Sequence, residues 1–264
     1  MNVRGHEHRP AIWWAWATVR TIYCWIALAA LTLFVGSVYL AVGWIAPDSR
    51  FVRGLEHLWV GTILRASFVD LEVEGLDRVE AGTSYIVMAN HRSMYDIPVL
   101  HYILDADRDL RWIGKQELLK VPVFGWVFGM SRHISIDRQH REKGIAAMKR
   151  AADESAAGVS FVVMPEGTRS RDGRLLPFKK GGFHLAIDTR LPILPVAIVG
   201  SEKLMPKGTW WILPGRIEVH VRSPIATTGL DKSDVEPLRD RVRGVIRDAL
   251  TDLPEESRAD RRRR

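Results

Sequence analysis

The 264-residue chain is 47% hydrophobic and 26% charged, enough for one large core or two small ones and too mixed for wholesale disorder. Its 38 basic and 31 acidic residues leave a net charge of +7, which favours anionic partners: nucleic acid, anionic lipid headgroups or phosphorylated substrates. A single cysteine, Cys24, excludes an intrachain disulfide and is compatible with a reducing compartment.

Residues 1–10 are polar and basic, with Arg4 and Arg9. From Ala11 to Ala46 the only charged residue is Arg20, and Ile22 to Ala46 carries no charge at all. As a helix those uncharged residues span about 37 Å at 1.5 Å per residue, longer than the roughly 30 Å hydrocarbon core of a bilayer. Trp13, Trp14 and Trp16 before the run and Trp44 at its end suit the two interfaces. The run is too long for a cleaved signal peptide and shows no small-residue cleavage site, so a membrane-embedded segment is favoured over a buried soluble helix. Basic residues flank both ends, and the positive-inside rule therefore sets no orientation. Gly36, Ser37 and Gly43 would permit a bend, and with it a hairpin that enters one leaflet. Apolar residues at 51, 55, 58, 59, 63 and 66 then predict a helix over 51–68, lying on the membrane surface or covering the next domain.

Beyond Val69 the pattern alternates. Strands are predicted at Val69–Val73, Tyr85–Ala89, Leu110–Ile113, Ile134–Ile136, Ser160–Val163, Ile193–Val199 and Ile217–Val221. Helices are predicted at Ile97–Leu104, Gln116–Gly129, Arg141–Ala157, Gly181–Thr189 and Asp234–Leu250. Such interleaving implies an α/β fold, a mostly parallel sheet flanked by helices, preceded by the membrane-embedded helical segment. Three segments result: an anchoring segment over 1–68, an α/β domain over 69–257 and a basic, disordered tail over 258–264. The tail would touch anionic lipid or simply solubilise.

Two stretches carry chemistry. Asn90-His91-Arg92-Ser93-Met94-Tyr95-Asp96 follows a predicted strand and opens a helix. It sets a histidine and a carboxylate at the carboxyl end of a strand, where open α/β sheets bind ligands. Histidine can act as a base near neutral pH, and a carboxylate can fix its tautomer and stabilise the imidazolium. Because Pro98 belongs in a first helical turn, Asp96 could equally be a helix cap, with Ser93 completing a capping box. The second stretch, Val162-Val163-Met164-Pro165-Glu166-Gly167-Thr168-Arg169-Ser170, turns sharply after another strand. It presents Glu166 and Arg169 at the same sheet edge. An arginine fork suits phosphate or carboxylate, although a surface ion pair between Glu166 and Arg169 would read the same way.

Together these stretches resemble the glycerolipid acyltransferase family, most nearly its 1-acyl-sn-glycerol-3-phosphate acyltransferases. Asn90-His91-x-Ser93-x-x-Asp96 matches the family's His-x4-Asp motif, and Pro165-Glu166-Gly167-Thr168-Arg169-Ser170 its Glu-Gly-Thr-Arg motif. Further blocks follow the family's order: Lys115 to Gly125, Ile134 to Arg138, Phe178 to Ala186, Pro192 to Ala197, and Met205 to Gly208 with Pro214-Gly215. The likeness covers roughly Val69 to Ile225. Met164 departs from the usual phenylalanine, and Arg132-His133 from an apolar approach to the next strand; both could tune acyl-chain or acceptor preference.

The resemblance implies acyl transfer from acyl-CoA or acyl carrier protein to the sn-2 hydroxyl of 1-acylglycerol-3-phosphate, giving phosphatidic acid. It implies His91 as general base, Asp96 as its orienting carboxylate and Arg169 for the acceptor phosphate. Glu166 would hold the loop or contact the glycerol, and backbone N–H groups of the Gly167-Thr168 turn would help bind an anion. Lys115, Arg138 and Lys179 are further phosphate-contact candidates. No cofactor or metal is implied, and no Gly-x-Ser-x-Gly elbow or metal-ligand spacing occurs in the sequence. A cytoplasmic donor places the catalytic domain on the cytoplasmic face of the cell (inner) membrane, with a one-leaflet hairpin or an N-out span. The implied partners are the bilayer, a lysophospholipid and the acyl donor, with no nucleic acid; oligomeric state is left open. Alternatives are a different lysophospholipid or amino-acid lipid acceptor, transacylation, or non-catalytic lipid binding on an inherited fold.

Overall fold

The computed structural model describes residues 10–46, 49–104, 109–121, 123–131, 133–136, 141–155 and 158–251. Seven strands form one sheet: β1 (Val69–Glu74), β2 (Ile86–Ala89), β3 (Asp109–Lys115), β4 (Ile134–Ile136), β5 (Val159–Val163), β6 (Ile193–Val199) and β7 (Gly215–Val221). Their spatial order is β1-β7-β6-β2-β5-β3-β4, and every pairing is parallel except β6 with β7. Strands β2, β5 and β6 are buried at every residue, as continuous runs covered on both faces should be. Edge strand β1 instead alternates, exposing Asp70, Glu72 and Glu74, charges that discourage edge-to-edge pairing.

Helices cover both faces. On one lie α5 (Arg141–Ser155), α6 (Gly181–Thr189) and α8 (Val235–Thr251), meeting Met88, Phe161 and Val163. The other face carries α3 (Asp96–Leu104) and the short helices α4 (Phe124–Met130) and α7 (Ser201–Leu204). Chain segments leaving the neighbouring strands β2 and β5 thus pass to opposite faces, through α3 and α6. That divergence opens a crevice at the strands' carboxyl ends. The continuous helix predicted over 116–129 is instead a 3-10 turn over Gln116–Lys120 followed by α4. The sequence places Pro122 between them, which supplies no N–H and disfavours helical backbone before it.

The N-terminal helix α1 (Ala11–Gly43) has 33 residues, about 50 Å, and among the described helices it alone is long and apolar enough to cross a membrane. It is unbroken at Gly36 and Ser37, two of the three residues expected to permit a bend; the third, Gly43, stands at its end. The chain reverses only after Gly43 and returns as α2 (Arg50–Ala66), capped by Ser49, whose Oγ accepts the N–H of Val52 at 3.2 Å. Helix α2 packs on α1, where Trp59 Nε1 donates to Thr32 Oγ1 at 3.0 Å. Gly36 is needed for close approach: a Cβ there would come within 2.5 Å of the Val123 side chain.

One face of α1 rests on the α/β domain along its length. Near the start, Trp14 packs on Trp211 and Thr21 Oγ1 accepts the Ile212 N–H at 3.2 Å. Near the end, a Cβ on Gly43 would meet Met130 Sδ at 2.7 Å. Arg20 is buried between them, its guanidinium donating to the carbonyls of Ile212 and Ser67. A buried guanidinium requires such partners, because an uncompensated charge there would be strongly unfavourable. The opposite face exposes Ile12, Trp16, Val19, Ile26, Leu33 and Phe34.

Candidate active site

Strand β2 ends at Ala89, and Asn90 then continues its pairing with a side chain. The fully buried Asn90 amide donates through Nδ2 to Ile198 O (2.9 Å) and accepts the Ile198 N–H through Oδ1 (2.7 Å). The backbone that carries His91 is thereby fixed to β6. Sequence reasoning assigns Asn90 no role, since nothing local announces a partner 108 residues away.

His91 Nδ1 lies 2.8 Å from Asp96 Oδ2. The same oxygen accepts the N–H groups of Arg92 (2.7 Å) and Ser93 (2.8 Å). An ionised carboxylate only accepts, so Nδ1 carries the proton and Nε2 is the basic nitrogen. Asp96 is fully buried at the first turn of α3, where the helix dipole favours negative charge. Capping and catalytic readings therefore converge on one atom: Asp96 staples the loop that opens the helix and orients the imidazole as well. Ser93 is also buried and donates to Met205 O at 3.0 Å, which ties the histidine loop to the segment after α7.

Strand β5 delivers the second loop beside it. Glu166 is 3% exposed and accepts the His91 N–H through Oε1 (2.7 Å) and the Leu176 N–H through Oε2 (2.8 Å). Burial pushes its pKa up, opposed by those two backbone donors. Its place is between the two loops, holding them, with both carboxylate oxygens engaged by backbone donors rather than by Arg169 at the surface. The Ser170 N–H donates to His91 O at 2.8 Å, a second stitch between the loops. Gly167 takes φ +71°, and its N–H is used on Met164 O at 2.9 Å within the turn, so that group is not the anion donor expected of it. A Cβ at Gly167 would also come within 2.9 Å of the Lys179 side chain.

A cavity of about 400 Å³ joins these parts to α1 and α2. His91, Gly167, Thr168 and Arg169 line it, together with apolar residues of α1, α2 and α4 such as Val35, Leu55, Trp59 and Val127. Lys207 lines it too, its Nζ donating to Thr168 Oγ1 (3.1 Å) and Arg169 O (2.6 Å). Sequence reasoning places Lys207 only within the late Met205–Gly208 block, without a role. Lys179 instead is exposed and covers the Gly167 turn from outside the cavity lining. Arg138 and the side chain of Lys115 lie outside the described residues.

The arrangement offers an oriented base, two cations and an apolar channel. It offers no activated nucleophile among the described cysteine and loop serines: Cys24 is buried against Ala66 O, Ser93 Oγ is committed to Met205 O, and Ser170 Oγ to Asp172. Such a set suits proton abstraction from an incoming hydroxyl and direct attack by it.

A family model described as acyltransferase matches residues 70–199. A 1-acyl-sn-glycerol-3-phosphate acyltransferase from Cocos nucifera is 32% identical over 238 residues, covering 89% of this chain and 75% of the relative. The alpha form from Ovis aries is 34% identical over 195 residues, covering 70% of this chain and 65% of its own. A chloroplastic relative from Brassica napus is 30% identical over 210 residues, 76% of this chain, which spans 60% of the relative's length. The crystal structure of the 1-acyl-sn-glycerophosphate acyltransferase PlsC from Thermotoga maritima has a TM-score of 0.77 at 30% identity, over 89% of this chain and 95% of that one. The chain, with its fold, motif order and relatives in agreement, belongs to the glycerolipid acyltransferase family typified by the 1-acyl-sn-glycerol-3-phosphate acyltransferases.

Proposed function

We propose that this enzyme transfers a fatty acyl group from an acyl thioester, acyl-CoA or acyl carrier protein, to the sn-2 hydroxyl of 1-acylglycerol-3-phosphate, releasing phosphatidic acid. The observation that carries this is His91, held 2.8 Å from the buried Asp96 and lining one cavity with Arg169 and a long apolar wall. In the reaction, His91 Nε2 removes the hydroxyl proton as the oxygen bonds to the thioester carbonyl carbon. Asp96 stabilises the imidazolium. The C–S bond then breaks, and the proton passes from Nε2 to the departing thiolate. Arg169 holds the acceptor phosphate through its fork, with Lys207 fixing the Thr168–Arg169 backbone. The apolar wall takes the acyl chain.

We further read α1 as lying in one leaflet, on the cytoplasmic side where the thioester carriers are. A helix seated on the α/β domain near both of its ends would carry that polar domain into the hydrocarbon if it crossed the bilayer. Its outward face, with Phe51, Leu58 and Trp126 exposed nearby, supplies the apolar surface such an arrangement needs.

The test is mass spectrometry of lipids formed by purified enzyme from mixed lysolipid acceptors and mixed acyl thioesters, alongside His91→Ala. Phosphatidic acid is the expected main product, with a loss of at least about 10²-fold in the variant. Preferential acylation of another lysophospholipid would overturn the acceptor assignment, and a fully active His91→Ala would overturn the base.

A further inference from the structure

The apolar cavity has polar residues in its wall away from the catalytic motif, and one tryptophan sets their chemistry. Trp112 of β3 donates its backbone N–H to His133 Nδ1 at 3.3 Å and its indole N–H to His101 Nδ1 at 3.2 Å. Both imidazoles therefore accept at Nδ1 and carry their proton on Nε2. His101 Nε2 lies 3.7 Å from Glu56 Oε2. His133 Nε2 makes no hydrogen bond among the described residues, yet His133 and Glu56 both line the cavity. Burial, reinforced by the nearness of His101 and Arg111, drives the His133 pKa down to about 3, so the ring stays a neutral donor.

Strand register locates this donor. His133 precedes β4, whose pairing with β3 sets it level with Trp112, which pairs with Val162 and so lies level with Val87 of β2. His91 is four residues beyond Val87 and three strand positions across. At about 3.3 Å per residue and about 4.8 Å per strand, the two backbones are about 20 Å apart. With the thioester at His91, a group touching His133 belongs to the distal half of a long acyl chain.

From these facts, and resting on the acyl-transfer reading above, we infer that His133 forms a specificity subsite for an oxygenated acyl chain. A hydroxyl in the chain's distal half accepts the Nε2–H of His133, and the Glu56 carboxylate, 3.7 Å from His101 Nε2, lines the same cavity as acceptor. Unsubstituted chains leave that N–H unpaired, whereas an apolar wall at this position would reject a hydroxyl.

The experiment is a competition between hexadecanoyl-CoA and its hydroxylated forms bearing the hydroxyl on carbon three, ten or sixteen, with wild type, His133→Phe and His133→Gln. Wild type is expected to use one of the distal hydroxy donors at least as well as the plain chain and to gain nothing from the carbon-three form. His133→Phe should shift that ratio toward the plain chain by about tenfold to a hundredfold. His133→Gln, which keeps an N–H donor, should retain most of the preference. Rejection of both distal hydroxy donors by wild type overturns the inference without any variant, as does an unchanged ratio in His133→Phe. If wild type turns over none of these chains, plain chain included, from either coenzyme A or acyl carrier protein, the acyl-transfer reading falls and the subsite with it.

Discussion

Asp96→Asn separates the two duties of one carboxylate. Three donors converge on Oδ2, at 2.7, 2.8 and 2.8 Å, while Oδ1 is buried with no partner among the described residues. The amide must put its oxygen in the Oδ2 position, because the reverse flip would aim an NH2 group at three N–H donors. Both backbone staples then survive, and the NH2 is buried where no acceptor waits, a destabilisation of about 1–3 kcal/mol. Catalysis suffers more. A neutral oxygen cannot stabilise the imidazolium, so turnover should fall by about 10²–10⁴-fold with the fold intact. Thiol release followed continuously, together with thermal melting in the same detergent, measures both quantities. Wild-type turnover in a folded Asn variant would refute the assignment, and so would a melting loss large enough to account for the missing activity by itself.

Other expectations follow from the same geometry. Arg169→Lys keeps the charge and loses the fork, so it should raise the acceptor KM while leaving donor affinity unchanged, measured by titrating each substrate separately. Lys207→Met should also raise the acceptor KM, through loss of its bonds to Thr168 and the Arg169 carbonyl; a pure fall in kcat would place Lys207 elsewhere in the reaction. His133 gives a stability signature. The unfolded imidazole takes a proton near pH 6.5 and the folded one only near 3, so the folded state loses ground as pH falls from 6.5 toward 3. At pH 5 the loss is about 2 kcal/mol, 1.5 units at about 1.4 kcal/mol each. His133→Phe should remove that much acid sensitivity from denaturant unfolding between pH 7.5 and pH 5.

Much of the sheet is legible in the sequence because covered parallel strands must be apolar without interruption, and β5 and β6 are just that. His91, Asp96 and Arg169 are legible as motif residues at strand ends. Glu166 is legible only halfway: its identity is plain, but its choice between loop and glycerol depends on where the Leu176 and His91 N–H groups fall. Asn90 and Lys207 act across 108 and 39 residues, distances over which periodicity carries no signal. The chain reverses after Gly43 and not at Gly36, and the close approach of Val123 and Met130 to these two glycines is a contact no local pattern announces. His133 stands out in the sequence only as a departure from an apolar expectation.

The seating of α1 and α2 on the α/β domain gives the proposed anchor a second part to play. Thr32, Val35 and Tyr39 of α1 and Leu55 and Trp59 of α2 line the cavity that His91 faces. A shortened chain begun at Val69 to obtain a soluble enzyme would leave the acyl channel open to water along one side. On the proposed reading, attachment to the membrane and shape of the substrate site are inherited together, and mutating a helix that never touches the reacting atoms is expected to alter chain-length preference.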